Sequence, residues 1–322
     1  MPLKLQQQCL DIFNDALSPG VDDTTNLQDV KGHLYNRDFI AAFGRDEYLR
    51  VYASRWSPSR ALGYLQVLAD VQGYVLHGNE PSRPGQSNQD AIEVVCLGGG
   101  AGAEAVALAG WLSAAMELMP GAVLQVCFVD IAAWSATVDA LHKRCVTAPE
   151  LSKYASITAR EANKPCVRAE AYSCSFQQQD VLDWPEDALR LVVTPETRLV
   201  TLLFTLNELY STSVPKTQRL LSKLTATMAA GALILVVDSP GSYSTLTLNG
   251  AEKKYPMQWL LDHTLLGSPQ KAGVEQAAKW EKVVSDESRW FRLPKGLQYP
   301  IELENMRYQI HLYRRLADSE GG

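Results

Sequence analysis

EVVCLGGGAGAEAVALAG, residues Glu93 to Gly110, decides how the rest of the chain is read. Val94 to Leu97 is a short apolar run of the kind that forms a buried strand. Gly98, Gly99 and Gly100 follow, then Ala101 and Gly102, and a helical run opens at Ala103 and continues to about Leu118. Strand, glycine turn and helix in that order make the first half of a βα unit. The glycines allow a tight turn with positive φ and let backbone N–H groups approach a ligand with no Cβ in the way. The helix start adds unpaired donors and a partial positive charge.

Two ligands are compatible with that loop. Gly98-x-Gly100-x-x-Ala103 satisfies the dinucleotide fingerprint. Gly98-x-Gly100-x-Gly102 equally fits the loop with which class I methyltransferases hold S-adenosylmethionine. Glu104 lies in the first helical turn, where its charge would repel a docked pyrophosphate more than a zwitterionic sulfonium ligand.

Outward from this stretch, alternating strands and helices continue. Ala122–Val129 is a second strand ending at Asp130, and Ile131–Val146 a helix. Tyr172–Gln178 is a third strand reaching Asp180, and Arg198–Thr205 a fourth, apolar as in a strand covered on both faces. Pro215–Ala230 is a helix and Ala232–Asp238 a fifth strand. A long insertion with Trp259 and Trp280 separates it from two more strands, Ser288–Leu293 and Arg307–Arg314. The Pro294–Glu304 connection has no room for a crossover helix, so those last two should pair antiparallel. The expected fold is α/β: a class I methyltransferase (Rossmann-like) sheet of seven mostly parallel strands with the last reversed. A nicotinamide-type sheet would continue with parallel βα units, so S-adenosylmethionine is the expected cofactor.

Residues 1–76 read as a helical N-terminal extension that packs over the crevice as a lid. Residues 3–17 form one amphipathic helix, and Leu27–Leu76 carries helical periodicity with Ser57-Pro58 as a helix start. Residues 77–90, rich in Gly, Pro, Ser and Asn, read as a linker, and 91–322 as the cofactor-binding domain. The 322 residues include 46% hydrophobic residues, enough for a sizeable core, and carry a net charge of −6, which argues against polyanion binding through overall charge. The six cysteines form no C-x-x-C pair and the five histidines no H-x-H or H-E-x-x-H spacing, so a reduced intracellular protein without a metal site is expected. No apolar run approaches the ~20 residues of a membrane span, and no secretory signal is visible.

Candidate site residues sit where the strands end. Asp130, with Ile131 beside it, lies next to the glycine loop, where a carboxylate can accept both ribose hydroxyls. Asp180 can take the exocyclic amine of adenine while the backbone of Val181 closes over the ring edge. Phe204-Thr205-Leu206-Asn207-Glu208-Leu209-Tyr210 follows the fourth strand, facing the transferable methyl. Glu208 is a candidate base, Asn207 an orienting amide and Tyr210 a stacking surface, beside Phe204. Arg45, Arg50, Arg55 and Arg60 recur every five residues among Tyr48, Tyr52 and Trp56, suggesting a lid or an RNA-facing patch.

VKGHLYNRDF, YASRWSPSRALGY, LGGGAGAE, DIAAW and FTLNELY together resemble a fungal methyltransferase family that includes the yeast 25S rRNA uridine-N3 methyltransferase, over about Val30 to Tyr313. The resemblance implies an S-adenosylmethionine-dependent enzyme acting on rRNA or a pre-ribosome, as a monomer, in the nucleus, nucleolus or cytoplasm. By motif it places cofactor contacts at Gly98, Gly100, Asp130, Asp180 and Val181 and makes Arg55 and Trp56 candidates; Gly99, Gly102, Glu104, Ile131 and Phe204 complete the expected pocket. The alternatives are a small-molecule, secondary-metabolite methyltransferase and a non-catalytic scaffold that keeps the cofactor fold.

Overall fold

The computed structural model describes residues 1–20, 23–76, 91–116, 118–248, 251–267 and 278–317; the expected linker at 77–90 lies outside them. The chain opens with four helices, α1 (Leu3–Leu17), α2 (Thr24–Tyr35), α3 (Phe39–Ala42) and α4 (Asp46–Leu76). The alternating part follows: β1 (Ile92–Leu97), α5 (Ala103–Ala115), β2 (Leu124–Asp130), α6 (Ser135–Val146), α7 (Ile157–Ala162), β3 (Tyr172–Gln178), α8 (Glu186–Arg190), β4 (Thr197–Leu203), α9 (Leu206–Thr212), α10 (Val214–Thr227) and β5 (Leu233–Asp238). A hairpin of β6 (Tyr243–Leu248) and β7 (Ala251–Pro256) leads through α11 (Met257–Leu265) to β8 (Trp280–Phe291) and β9 (Met306–Arg315).

Seven strands form one sheet in the order β3-β2-β1-β4-β5-β9-β8, and β6 pairs only with β7. The pairs among β1 to β5 are parallel, whereas β9 runs antiparallel to both β5 and β8. β9 is therefore the one reversed strand of the sheet, as the short β8–β9 connection requires. Trp280, expected inside the insertion, instead begins β8.

Both faces of the sheet are covered. Along β1, Val94 and Cys96 belong to the core shared with α1, α4 and α5, while Val95 and Leu97 point into the core under α9, α10 and α11. That is the period of two expected of a strand buried on both sides. α5 is apolar nearly all round because the sheet covers one side and α1 and α4 the other. Leu10 and Phe13 of α1 and Leu62 and Leu65 of α4 pack in one core with Val106, Leu108 and Leu112 of α5.

The Ser57-Pro58 helix start is corrected by the structure: both residues lie inside the 31-residue α4. A proline in a helix interior leaves the carbonyl four residues earlier without its N–H donor, normally breaking the helix. Here Tyr299 Oη donates to the Ser54 carbonyl at 3.0 Å and replaces the missing bond. The two serines are then free to dock the helix. Ser57 Oγ donates to the Ala101 carbonyl at 2.7 Å, and Ser59 Oγ accepts the Glu304 N–H at 3.0 Å.

Candidate active site

The strand order turns at β1, whose neighbours are β2 and β4, and ligands of open α/β sheets bind outside the carboxyl ends of the strands at such a switch point. A cleft of about 630 Å³ opens there, within the roughly 300–1,000 Å³ usual for small-molecule sites. Its floor is the loop from β1 to α5. Gly98 and Gly102 both have φ near +80°. A Cβ on Gly98 would lie 2.4 Å from Thr205 Oγ1, and one on Gly100 would lie 2.1 Å from the Trp134 ring. Only glycine fits at those two positions, because Thr205 and Trp134 pack directly against the loop backbone there.

Asp130, at the end of β2, fixes this loop. Its Oδ2 accepts the Gly100 N–H at 3.1 Å and its Oδ1 the Ala132 N–H at 3.1 Å. Burial pushes its carboxyl pKa up against the opposing pull of those donors. The Trp134 ring N–H and the Ile131 N–H also act on this carboxylate, so a ribose hydroxyl would share its roughly four acceptor positions with the loop donors. Farther along, Asp180 lines the cleft and accepts the Leu182 N–H at 2.9 Å, capping a short turn that holds Val181 at the cleft wall. Ile131 also lines the cleft and is exposed, presenting an apolar cover between the two carboxylates.

Glu104 turns inward from the first turn of α5. It is 4% exposed, and Thr201 Oγ1 of β4 donates to its carboxylate. Burial raises its pKa to about 7, with the Thr201 bond opposing. Glu104 lines the cleft beneath the glycine loop, with its carboxylate turned toward β4.

The fourth strand ends in Phe204, whose φ of 56° is rare for a residue with a side chain. Its N–H donates to the Val237 carbonyl at 2.7 Å, holding the strained residue. Phe204, Thr205, Asn207 and Glu208 line the cleft, and Glu208 is half-buried. Asp238, at the end of β5, was missed in the sequence. It is buried, lines the cleft, and accepts N–H groups from Asn207 at 2.9 Å and Ser239 at 2.8 Å. Desolvation raises its pKa to about 6. An aspartate ending an apolar strand was the available signal, the same signal that singled out Asp130.

The roof comes from the N-terminal helices. The rings of Tyr52 and Trp56 of α4 lie 4.8 Å apart between centroids, tilted at 43°, and Phe43 lies 5.6 Å from Trp134 and 5.1 Å from Tyr52. Leu34, Phe39, Ser57, Arg60 and Tyr64 also line the cleft.

Three expectations fail. Tyr210 is 2% exposed and packs in the core under α9, α10 and α11, so its ring is not available to stack on a substrate. Arg55 pairs with Glu304 and donates to the Glu302 carbonyl at 3.2 Å, facing the β8–β9 connection and not the cleft. The arginines form no single patch: Arg45 lies over Tyr48, Arg50 pairs with Asp23, and Arg60 meets Tyr52. A step of five residues turns a helix by about 140°, so successive arginines point in different directions.

A doubly wound sheet closed by one reversed strand, with its cleft at the switch point over a glycine loop, is the architecture of the class I S-adenosylmethionine-dependent methyltransferases. The chain belongs to the family described as "Putative SAM-dependent methyltransferase", whose model matches residues 12–314. It is 33% identical over 334 residues, 95% of this chain and 85% of the relative, to the 25S rRNA (uridine(2843)-N(3))-methyltransferase of Saccharomyces cerevisiae. Solved structures also resemble it. An S-adenosylmethionine-dependent methyltransferase from Clostridium acetobutylicum matches with 8% identity, 88% of this chain, all of that chain and a TM-score of 0.37. The antibiotic-resistance methyltransferase Kmr matches with 14% identity, 77% of this chain, 93% of that chain and a TM-score of 0.36. Among the described residues no helix is long and apolar enough to cross a membrane, and no His, Cys, Asp or Glu group is arranged to hold a metal.

The cleft suits S-adenosylmethionine. The glycine loop would form the floor under the cofactor, and Asp130 would face its ribose. Asp180 with Val181 would border the adenine, and Phe204 would lie at the methyl end.

Proposed function

We propose that this chain methylates N3 of a uridine in large-subunit rRNA, free or within a pre-ribosome. The observation that carries the reading is the 33% identity to the yeast uridine-N3 enzyme across 95% of this chain. Bound S-adenosylmethionine supplies an electrophilic methyl group. The work of the protein is to align the uridine and remove its N3 proton. Glu208, half-buried at the cleft, is the residue that would take and hold that imide proton. Asn207 donates to a flanking carbonyl of the base, and its buried Oδ1, without a partner among the described residues, accepts from the substrate or from water. The base leaves its stack to enter the cleft, where the Phe204 ring supplies a stacking face in place of Tyr210. The enzyme acts as a monomer in the nucleus, nucleolus or cytoplasm, where its rRNA is assembled.

The test is mass spectrometry of large-subunit rRNA nucleosides from cells lacking the protein, rescued with wild type or with Glu208→Gln. The expected result is loss of one 3-methyluridine, restored by the wild type. Glu208→Gln should bind the cofactor normally and transfer methyl about 10²–10⁴-fold more slowly. Unchanged 3-methyluridine in the deletion rejects the acceptor, and full turnover by Glu208→Gln rejects the base.

A further inference from the structure

Arg60 is the one arginine of the RWSPSR segment that reaches the cleft. It lies one helical turn after Ser57, which is bonded to the glycine loop at Ala101, and one turn before Tyr64, whose ring is 6.3 Å from that of Phe204. The guanidinium carbon sits 5.2 Å from the Phe204 ring centroid and 5.9 Å from that of Tyr52, and Nη1 donates to Tyr52 Oη at 2.8 Å. Its head is therefore held against the end of β4, near Asp238 at the end of β5 and on the side of the cleft away from Asp180.

A guanidinium carries five N–H donors. Among the described residues only one of these has a hydrogen-bonded partner, and no carboxylate forms an ion pair with Arg60. The half-buried arginines elsewhere are satisfied: Arg50 by Asp23, Arg55 by Glu304, and Arg198 by three backbone carbonyls. Arg37 also lines the cleft, but its side chain is exposed at the rim, where water meets its donors. The nearby carboxylate of Asp238 is occupied by two backbone N–H groups. A partly buried, aromatic-clamped guanidinium with free donors is built to receive an anion. With the ribose end of the cleft at Asp130 and the adenine end at Asp180, the anion that reaches the β4 end is the cofactor's own amino-acid carboxylate.

We propose that Arg60 binds the α-carboxylate of S-adenosylmethionine and so positions the sulfonium methyl over Phe204. The assignment rests on the cofactor and not on the choice of RNA as acceptor.

Calorimetry with S-adenosylhomocysteine and with 5′-methylthioadenosine tests it on the full chain. The two ligands share adenine, ribose and sulfur, and only the first has the amino-acid end. Arg60→Met should lower the preference for S-adenosylhomocysteine by about 10–100-fold, the usual worth of a hydrogen bond to a charged group, while 5′-methylthioadenosine binds as in the wild type. Normal binding of that second ligand also certifies the fold. Arg60→Lys keeps the charge without the planar fork and should show a smaller loss of the same preference. A preference unchanged in both variants overturns the proposal. So does unchanged S-adenosylhomocysteine binding with weakened binding of an rRNA fragment, which would assign Arg60 to a substrate phosphate.

Discussion

Tyr299 Oη donates at 3.0 Å to the carbonyl of Ser54, the group that Pro58 deprives of its helical partner. One hydroxyl from the β8–β9 connection thus lets α4 run unbroken past a proline, and it keeps Ser57 and Arg60 facing the cleft. Tyr299→Phe leaves that carbonyl without the donor. It should cost about 1–3 kcal/mol of stability, read by urea denaturation at constant m-value. An unchanged midpoint would show that water satisfies the carbonyl equally well.

Asp238 ties the end of β5 to the first turn of α9 through the Asn207 N–H at 2.9 Å. Asp238→Ala releases that turn, and with it Asn207 and Glu208. Methyl transfer should fall by at least about 10-fold, in line with ~1.5–3 kcal/mol for a bond to a charged acceptor. Asp238→Asn keeps an acceptor oxygen and should retain most of the activity. Equal losses in both variants would assign the effect to the charge and not to the tether.

Asp130 accepts from the glycine loop and would face the ribose of the cofactor. Asp130→Ala should weaken S-adenosylhomocysteine binding by about 1.5–3 kcal/mol, roughly 10–100-fold in Kd. Calorimetry would sink this assignment by returning the wild-type affinity.

Glu104 has a folded-state pKa of about 7 against an ordinary 4.5. Between those values the folded chain holds the proton and the unfolded chain does not. The raised pKa therefore favours the fold at low pH, and that stability is lost as pH rises from about 4.5 to about 7. Each pKa unit is worth ~1.4 kcal/mol, so the penalty at neutral pH is on the order of 3 kcal/mol. Glu104→Gln stays neutral and can still accept from Thr201. Relative to the wild type it should gain stability between pH 4.5 and pH 8, measured by denaturant titration across that range. A difference between the two proteins that does not vary with pH would mean that Glu104 is ordinary in the fold.

Leu10, Phe13, Leu62 and Leu65 are completely or almost completely buried against α5, within the core that also holds Val94 of β1. Removing residues 1–76 strips that face of α5 and exposes a broad apolar surface. The truncated chain should aggregate or lose its cooperative thermal transition. A soluble fragment with a sharp transition and near-ultraviolet circular dichroism would instead show an autonomous sheet domain.

Local patterns were sufficient for much of this protein. The Val94–Gly102 stretch specifies strand, turn and helix because its signals are all near neighbours in sequence. The short β8–β9 connection forces a reversed strand for the same reason. Asp130, Asp180, Asn207 and Glu208 could be picked out because polar residues ending apolar strands fall at the carboxyl edge of a parallel sheet. The tertiary structure decided what depends on partners far away along the chain. Pro58 reads as a helix start until Tyr299, 241 positions later, supplies the missing hydrogen bond. Arg55 and Arg60 are equivalent in the sequence, but the helix turns one toward Glu304 and the other toward Phe204. Tyr210 follows Glu208 by two residues, and on a helix two residues is about 200°, which sends its ring into the core while Glu208 lines the cleft. Glu104 sits in a first helical turn, where sequence places a charge beside the ligand. The approach of Thr201 from β4 turns it into a buried acceptor at the cleft wall beneath the loop.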